Sequence, residues 1–347
     1  MKERQRQPWF SAVGFMLLLL LLFFLSGCST EQPADSNADD SSSEDQHAQE
    51  DELVDAEPEE EETVYPLTIT DLAGREITFE RRPERIVSVI PADMEIIYAL
   101  GGEVVGRPQA TNGTVEPEEA AAVEEIGYPL GINYETIVSL QADLFIGHTR
   151  LNVDDVSTLQ ALELNVILSQ GDSMDDIKNL IHMYGDLLDR KAEANALIAD
   201  IEKQVADITA VQREEPVKVL ILFGTRDETM AALPQSLAGN LFELAGAENI
   251  SAGLPHLDNY PTYAQLSLER ILEADPDAIY FMAHGDAEEA KQRFEMEMSA
   301  NPAWNNLNAV KNNNIIVLPH ELFGTNPGPR IVDALAFLKD SLDSLEQ

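Results

Sequence analysis

Residues 174–212 read "MDDIKNLIHMYGDLLDRKAEANALIADIEKQVADITAVQ", with no proline and one glycine, Gly185. Apolar residues recur at helical spacing: Ile177, Leu180, Ile181, Tyr184, Leu187 and Leu188, then Leu197, Ile198, Ile201, Val205 and Ile208. The pattern predicts two helices broken between 185 and 191. The second, at roughly twenty residues, is about 30 Å long and can bridge two lobes of a folded body.

On both sides of this stretch, strands alternate with helices. "LTITDLAGREITF" (67–79) places two alternating runs around Asp71 and Gly74, a hairpin signal. "RIVSVI" (85–90), "VVG" (104–106), "DLFIGH" (143–148) and "NVILSQ" (165–170) read as strands, with helices expected over 93–100, 134–140 and 154–162. Beyond Pro216 come "KVLILFG" (218–224), "AIYFMA" (278–283) and "NIIVLP" (314–319). Helices are expected there near 236–245, 286–298 and 329–344. Such alternation predicts parallel α/β sheets.

The chain begins with a basic segment (Lys2, Arg4, Arg6) and an apolar run over 13–25 that ends in Leu25-Ser26-Gly27-Cys28. This is a secretory signal, too short for a comfortable membrane span. Small residues before the chain's one cysteine resemble the lipobox of bacterial lipoproteins, which implies that Cys28 is lipid-modified and becomes the mature N-terminus. Residues 29–64 hold fifteen Asp and Glu and no Lys or Arg, so they read as a disordered, self-repelling spacer. The expected divisions are therefore a signal (1–28), a spacer (29–64), an N-terminal lobe (65–172), a bridging segment (173–215) and a C-terminal lobe (216–347). A net charge of −41 argues against nucleic-acid binding by counterion release.

"INYETIVSLQADLFI" (132–146) and "LSLERILEADPDAIYF" (266–281) share a plan: a helix with Glu in its first turn, Ile two residues later, then Ala-Asp or Pro-Asp before an apolar strand. With "TDLAGREITFERRPERIVSV", "MEIIYALGG" and "GNLFELAGAENI", these blocks resemble the substrate-binding lipoproteins of ABC importers for siderophores, haem and cobalamin. The resemblance covers essentially all of 65–347. It implies the class III binding-protein fold, in which two Rossmann-like lobes are joined by one long helix around a ligand cleft. It also implies a permease dimer with its ATPase as partner, and a monomeric carrier held by lipid on the outer face of the cell membrane. Ser29 and the long spacer favour a Gram-positive surface. Glu135 and Glu269 match the family's permease-docking glutamates; a carboxylate on a first helical turn also suits the helix dipole without any partner.

Ligands of open α/β lobes bind beyond the carboxyl ends of the strands. That rule nominates 91–94, 127–132 and 148–150 in one lobe and 224–226, 284–285 and 322–325 in the other, with 260–263 on a loop. "FMAHGDAEEAKQRF" (281–294) and "AVKNNNIIVLPHELFG" (309–324) look most like the Gram-positive haem-binding subgroup. In that subgroup the strand-end histidine ligates haem iron, and His284 stands in its place; the competing reading is a helix cap. Phe281, Met282 and Phe323 are candidates for the porphyrin wall. The subgroup's second ligand, a methionine, is replaced here by Leu130 in "GYPLGINYE". Tyr128, then Met94, then His148 are the candidate substitutes, and five-coordinate haem on His284 alone stays open.

A ferric siderophore is the alternative ligand, for which Arg107, Arg150, Arg226 and Arg330 are candidates, and cobalamin comes third. Tyr263 joins the cleft list. No intrinsic cofactor is expected. No Gly-x-Ser-x-Gly, His-Glu-x-x-His, phosphate loop or Rossmann glycine fingerprint occurs, so no enzyme activity is expected. Scattered histidines argue against a bare zinc or manganese carrier. The non-transport alternative is a ligand-sensing surface ectodomain.

Overall fold

The computed structural model describes residues 62–110, 115–211, 213–225, 228–283, 287–299, 301–324 and 326–345. The signal, Cys28 and the spacer through 61 lie outside these residues, as do Arg226 and His284. Among the described residues no helix is long and apolar enough to cross a membrane.

The chain is tied down by Thr63. Its N–H donates to the Asp189 carboxylate (2.7 Å) and its hydroxyl to the Asp186 carbonyl (2.9 Å). The antiparallel hairpin of β1 (Leu67–Thr70) and β2 (Glu76–Phe79) follows as expected. Its turn closes on the buried Asp71 carboxylate, which accepts from the backbone of Ala73, Arg75 and Leu168 and pairs with Arg75 at 2.5 Å.

The N-terminal lobe is then built from β3 (Ile86–Ser88), α1 (Pro91–Ala99), β4 (Gly106–Arg107), β5 (Glu124–Glu125), β6 (Gly127–Tyr128), β7 (Gly131–Ile132), α2 (Tyr134–Ser139), β8 (Leu144–His148), α3 (Val156–Ala161) and β9 (Asn165–Ser169). Its sheet runs β5-β4-β3-β8-β9 and is parallel throughout. The central strands are buried on both faces, which is why they read as unbroken apolar runs. Val87, Phe145 and Val166 pack on one side with Ile137 and Leu159 of α2 and α3. Ile86, Ile146 and Ile167 face the opposite way, towards α1. Residues 127–132, expected as a plain loop, form the small β6–β7 hairpin.

The decisive stretch becomes α4 (Met174–Leu188) and α5 (Lys191–Ile208). Ser173 caps α4 by accepting from Asp176 N–H (3.1 Å), and Asp189, at φ 57°, ends it in the left-handed conformation. The one glycine has a packing reason. A Cβ on Gly185 would lie 2.5 Å from the Ala194 Cβ, so only glycine lets the two helices approach this closely.

The C-terminal lobe comprises β10 (Val217–Gly224), β11 (Thr229–Ala232), α6 (Leu237–Leu244), β12 (Ala247–Asn249), β13 (His256–Leu257), β14 (Tyr260–Gln265), α7 (Leu268–Ala274), β15 (Ala278–Ala283), α8 (Ala287–Ser299), α9 (Asn308–Lys311), β16 (Ile315–Val317), α10 (His320–Phe323) and α11 (Ile331–Ser344). The sheet order is β13-β14-β11-β10-β15-β16, with β12 pairing the amino end of β10. Strands β10, β15, β16 and β12 are mutually parallel, while β11 runs antiparallel to β10. Tyr260 and Tyr263, expected on a loop, lie in β14. Helix α5 packs on α4 and on α11. Through these helices one continuous apolar cluster runs from Ile96 and Ile146 past Ile181 and Ile198 to Ile221, Phe242 and Leu335.

A candidate ligand cleft between the lobes

Helix α1 leaves the carboxyl end of β3 and carries the described contacts that fasten one lobe to the other. Glu95 and Arg330 form a bidentate ion pair at 2.8 and 2.9 Å. Burial raises the Glu95 pKa, and the Arg330 guanidinium opposes that rise. A Cβ on Gly328 would come 3.1 Å from the Ala92 carbonyl, and one on Gly171 would meet the Asn326 amide. The carboxyl edge of the N-terminal sheet, to which β8 and β9 deliver 149–155 and 170–172, is thus turned towards the C-terminal lobe.

On that edge the β6–β7 hairpin displays Tyr128, 50% exposed, and Leu130, 73% exposed. The Tyr128 ring lies over Gly131, where a Cβ would stand 3.2 Å from it. Buried Asn152 locks the hairpin to the loop after β8. Its amide donates to the Pro129 carbonyl (2.8 Å) and its Oδ1 accepts from His148 N–H (2.8 Å). Tyr134 donates to Asp155 in the same loop, and burial with that carboxylate pushes its hydroxyl up to about 12. Beside it, Thr149 Oγ1 donates to Gln170 Oε1 (2.5 Å) and Gln170 Nε2 to Asp172 (2.6 Å). Burial raises the Asp172 pKa, and the nearby Arg150 charge partly restrains it. From the other lobe Tyr263 comes close enough for its phenol to feel Asp172 and Arg150, with burial the main cause of its raised pKa. Its ring packs 5.0 Å from Phe223.

Several expected site residues belong elsewhere. Met94 is 2% exposed and packed in the main apolar cluster, so its sulfur is not offered to a ligand. Phe323 is buried against Phe337 (6.0 Å), and Phe281 and Met282 are buried in the core, so these three form no porphyrin wall. The reason is common to them: β15 lies between helical layers on both faces, and α10 turns Phe323 inward. Arg107 is buried and paired with Glu125 at 2.9 Å. Arg330 is committed to Glu95. His148 Nδ1 accepts from Arg150 N–H at 3.1 Å, which fixes its ring in a turn. Glu135 and Glu269 are exposed on the first turns of α2 and α7, behind caps Asn133 and Ser267. His284 and Arg226 are outside the described residues.

Sequence reasoning reached Thr149 within 148–150 but missed Gln170 and Asp172, to which it is linked. The strand-end rule reached β8 but was not applied to β9, which pairs with it in parallel register. A concavity of about 530 Å³ lies apart from this edge, beside the C-terminal half of α1. Glu95, Glu103, Glu116, Glu119 and Arg330 line it, an acidic wall that suits no anionic ligand.

The model for the periplasmic binding protein family matches residues 86–322. Among curated proteins, the substrate-binding lipoprotein YvrC of a Bacillus subtilis ABC transporter is 24% identical over 298 residues, covering 83% of this chain and 89% of its own length. IsdE of the Staphylococcus aureus high-affinity heme uptake system is 29% identical over 243 residues, 69% of this chain and 80% of its own. The structure of S. aureus IsdE complexed with heme superposes with a TM-score of 0.64 at 28% identity, covering 74% of this chain and 98% of that one. An ABC transporter substrate-binding protein from Listeria monocytogenes gives 0.66 at 28% identity, covering 76% and 100%. With more than half its length matched and two α/β lobes bridged by α5, the chain belongs to the periplasmic binding protein family, class III.

Proposed function

We propose that this protein is the lipid-anchored substrate-binding component of an ABC importer and that its ligand is haem. Cys28 carries the anchor, which holds the body on the outer face of a Gram-positive membrane. The permease dimer with its ATPase is the partner, and Glu135 and Glu269 dock it. Tyr128 is the iron donor supplied by the N-terminal lobe, and His284 is the donor supplied by the other. The observation that carries the haem reading is Tyr128 itself: a half-exposed phenol at the tip of a hairpin on the ligand edge, with Met94 packed away and His148 held in a turn. Tyrosinate is a known axial donor to haem iron. The siderophore alternative asks for converging guanidinium groups, and two of its four candidates, Arg107 and Arg330, are already spent in ion pairs.

Protein lacking residues 1–28, titrated with hemin, is expected to develop a Soret band. Tyr128→Phe and His284→Ala are each expected to shift or weaken it. Spectra and affinity unchanged in one variant remove that residue from the iron. No band in the wild type, with uptake of a ferric siderophore instead, replaces haem by the alternative.

A further inference from the structure

The β6–β7 hairpin runs directly into α2. Ile132 is followed by the cap Asn133, whose side chain accepts from Thr136 N–H at 3.1 Å, and Glu135 stands exposed on the first turn. Tyr128 on the ligand edge and Glu135 on the docking turn are thus seven residues apart. The chain between them is held in a tight register. Asn133 N–H donates to the Ile126 carbonyl at 2.8 Å, and a Cβ on Gly127 would lie 2.1 Å from the Gly131 carbonyl oxygen.

A second connection joins the same two places. Asp155, in the loop after β8, accepts from the Tyr134 hydroxyl through one oxygen and from the Asn152 amide through the other, the latter at 2.8 Å. The same amide donates to the Pro129 carbonyl at the hairpin tip at 2.8 Å. Tyr134 immediately precedes Glu135, and its bond to a carboxylate is charge-assisted, one of the stronger kinds. Asn152 is fully buried, and its three side-chain bonds hold it in one position. The ring closes from the hairpin tip through Asn152, Asp155 and Tyr134, and back along the chain through Asn133.

The C-terminal lobe repeats the layout without the ring. Tyr263 of β14 stands six residues before Glu269, and Ser267 caps α7. Arg270 pairs with Glu273 at 3.9 Å, and among the described residues no side-chain hydrogen bond or ion pair ties α7 to the strand-end loops of its lobe.

We propose that Tyr134 and Asp155 are positioning residues: with Asn152 they make the ligand hairpin and the docking turn one unit, so that a ligand seated on the hairpin is registered at Glu135 and much less at Glu269. Hydrogen-bonded networks that span two sites can carry such coupling. It is reciprocal, so a partner on Glu135 alters the hold on the ligand by the same factor. The inference rests on the docking reading of Glu135 and on the cleft, not on which ligand fills it.

Amide hydrogen exchange of protein lacking residues 1–28, alone and saturated with hemin as followed by its Soret band, tests this. Loading is expected to slow exchange over 134–140 about tenfold and over 268–275 about twofold or less. Tyr134→Phe keeps the ring and removes the donor; the loaded-to-unloaded ratio of α2 is expected to fall to about one. A purely local role for the hydroxyl would speed α2 exchange equally in both states and leave that ratio intact, which overturns the proposal. Equal slowing of α2 and α7 in the wild type, or slowing of neither, overturns it as well. Asp155→Ala, at a half-buried loop position, makes the same comparison if Tyr134→Phe fails to fold or to load. With no Soret band in the wild type the haem reading falls. A ferric trihydroxamate and then cobalamin take hemin's place, and the exchange ratios judge the ring as before. If none of the three binds, the cleft reading and this inference fall together.

Discussion

Buried at the first turn of α1, Asp93 accepts hydrogen bonds from Ser169 (2.8 Å) and Tyr184 (2.6 Å), while its Oδ2 has no partner. Burial dominates those hydrogen bonds and lifts its pKa from 3.8 to about 6. A carboxyl whose folded pKa lies above its unfolded one holds its proton in the native state after the unfolded chain has released it. Its contribution is therefore most favourable below pH 4 and falls as pH rises towards 6; above that the ionised, desolvated group costs about 3 kcal/mol. Asp93→Asn is expected to raise stability at pH 8 by about 1–3 kcal/mol, with the unpaired amide accounting for the lower end. The gain should shrink as pH is lowered from 6 to 4, and urea unfolding at those pH values measures it. At this scale the sequence was legible where loop position alone decides exposure, as for Tyr128 and Leu130. It was less so where helix phase decides. Met94 stands three residues before Ile97 on the buried face of α1, a spacing present in the sequence that the strand-end rule overrode. The burial of Asp93 had no sequence signal, because the partners that meet it inside, Ser169 and Tyr184, stand seventy-six and ninety-one positions away.

The helical hairpin of α4 and α5 depends on Gly185 as much as on its apolar faces. Gly185→Val would drive side-chain carbons into Ala194, and an overpacked helix contact costs about 1–3 kcal/mol. Thermal or urea unfolding should report that loss, whereas Gly253, whose added Cβ would meet nothing within 4 Å but whose φ is +78°, would suffer only backbone strain. Helices α2 and α7 repeat one design: a capping Asn133 or Ser267, an exposed Glu two residues on, and a buried Ile two residues after that. This repeat was readable in the sequence because it is local. If both glutamates dock the permease, the Glu135→Ala, Glu269→Ala double variant should bind hemin as the wild type does and fail to support import. Normal uptake by that variant would leave them as ordinary first-turn charges. The strands β11 to β14 were not legible. Thr229–Ala232 lacks β-branched residues after its first, and Pro261 in β14 reads as a loop because proline is tolerated only towards a sheet's margin.

Across the whole molecule, strand–helix alternation and the long glycine-poor stretch foretold two α/β lobes and a helical bridge, because burial on both faces leaves unbroken apolar runs; the expected parallel pairing holds throughout the N-terminal sheet but not in the C-terminal one, where β11, β13 and β14 pair antiparallel. The meeting of the lobes was not foretold. It depends on Glu95 and Arg330, 235 positions apart, and on the backbone approach at Gly328 and Ala92. The inner faces of both sheets and the helices between them also share one apolar cluster, while the other face of each sheet packs a cluster of its own.

The ion pair between Glu95 and Arg330 therefore does more than add local strength. A wide swing of one lobe against the other would have to break that pair and part the apolar cluster the lobes share. If no such swing occurs, a transport machine touching this molecule meets nearly the same outline whether the groove is loaded or empty. The difference it senses has to be carried at the rim, by the cargo itself and the few side chains that settle around it.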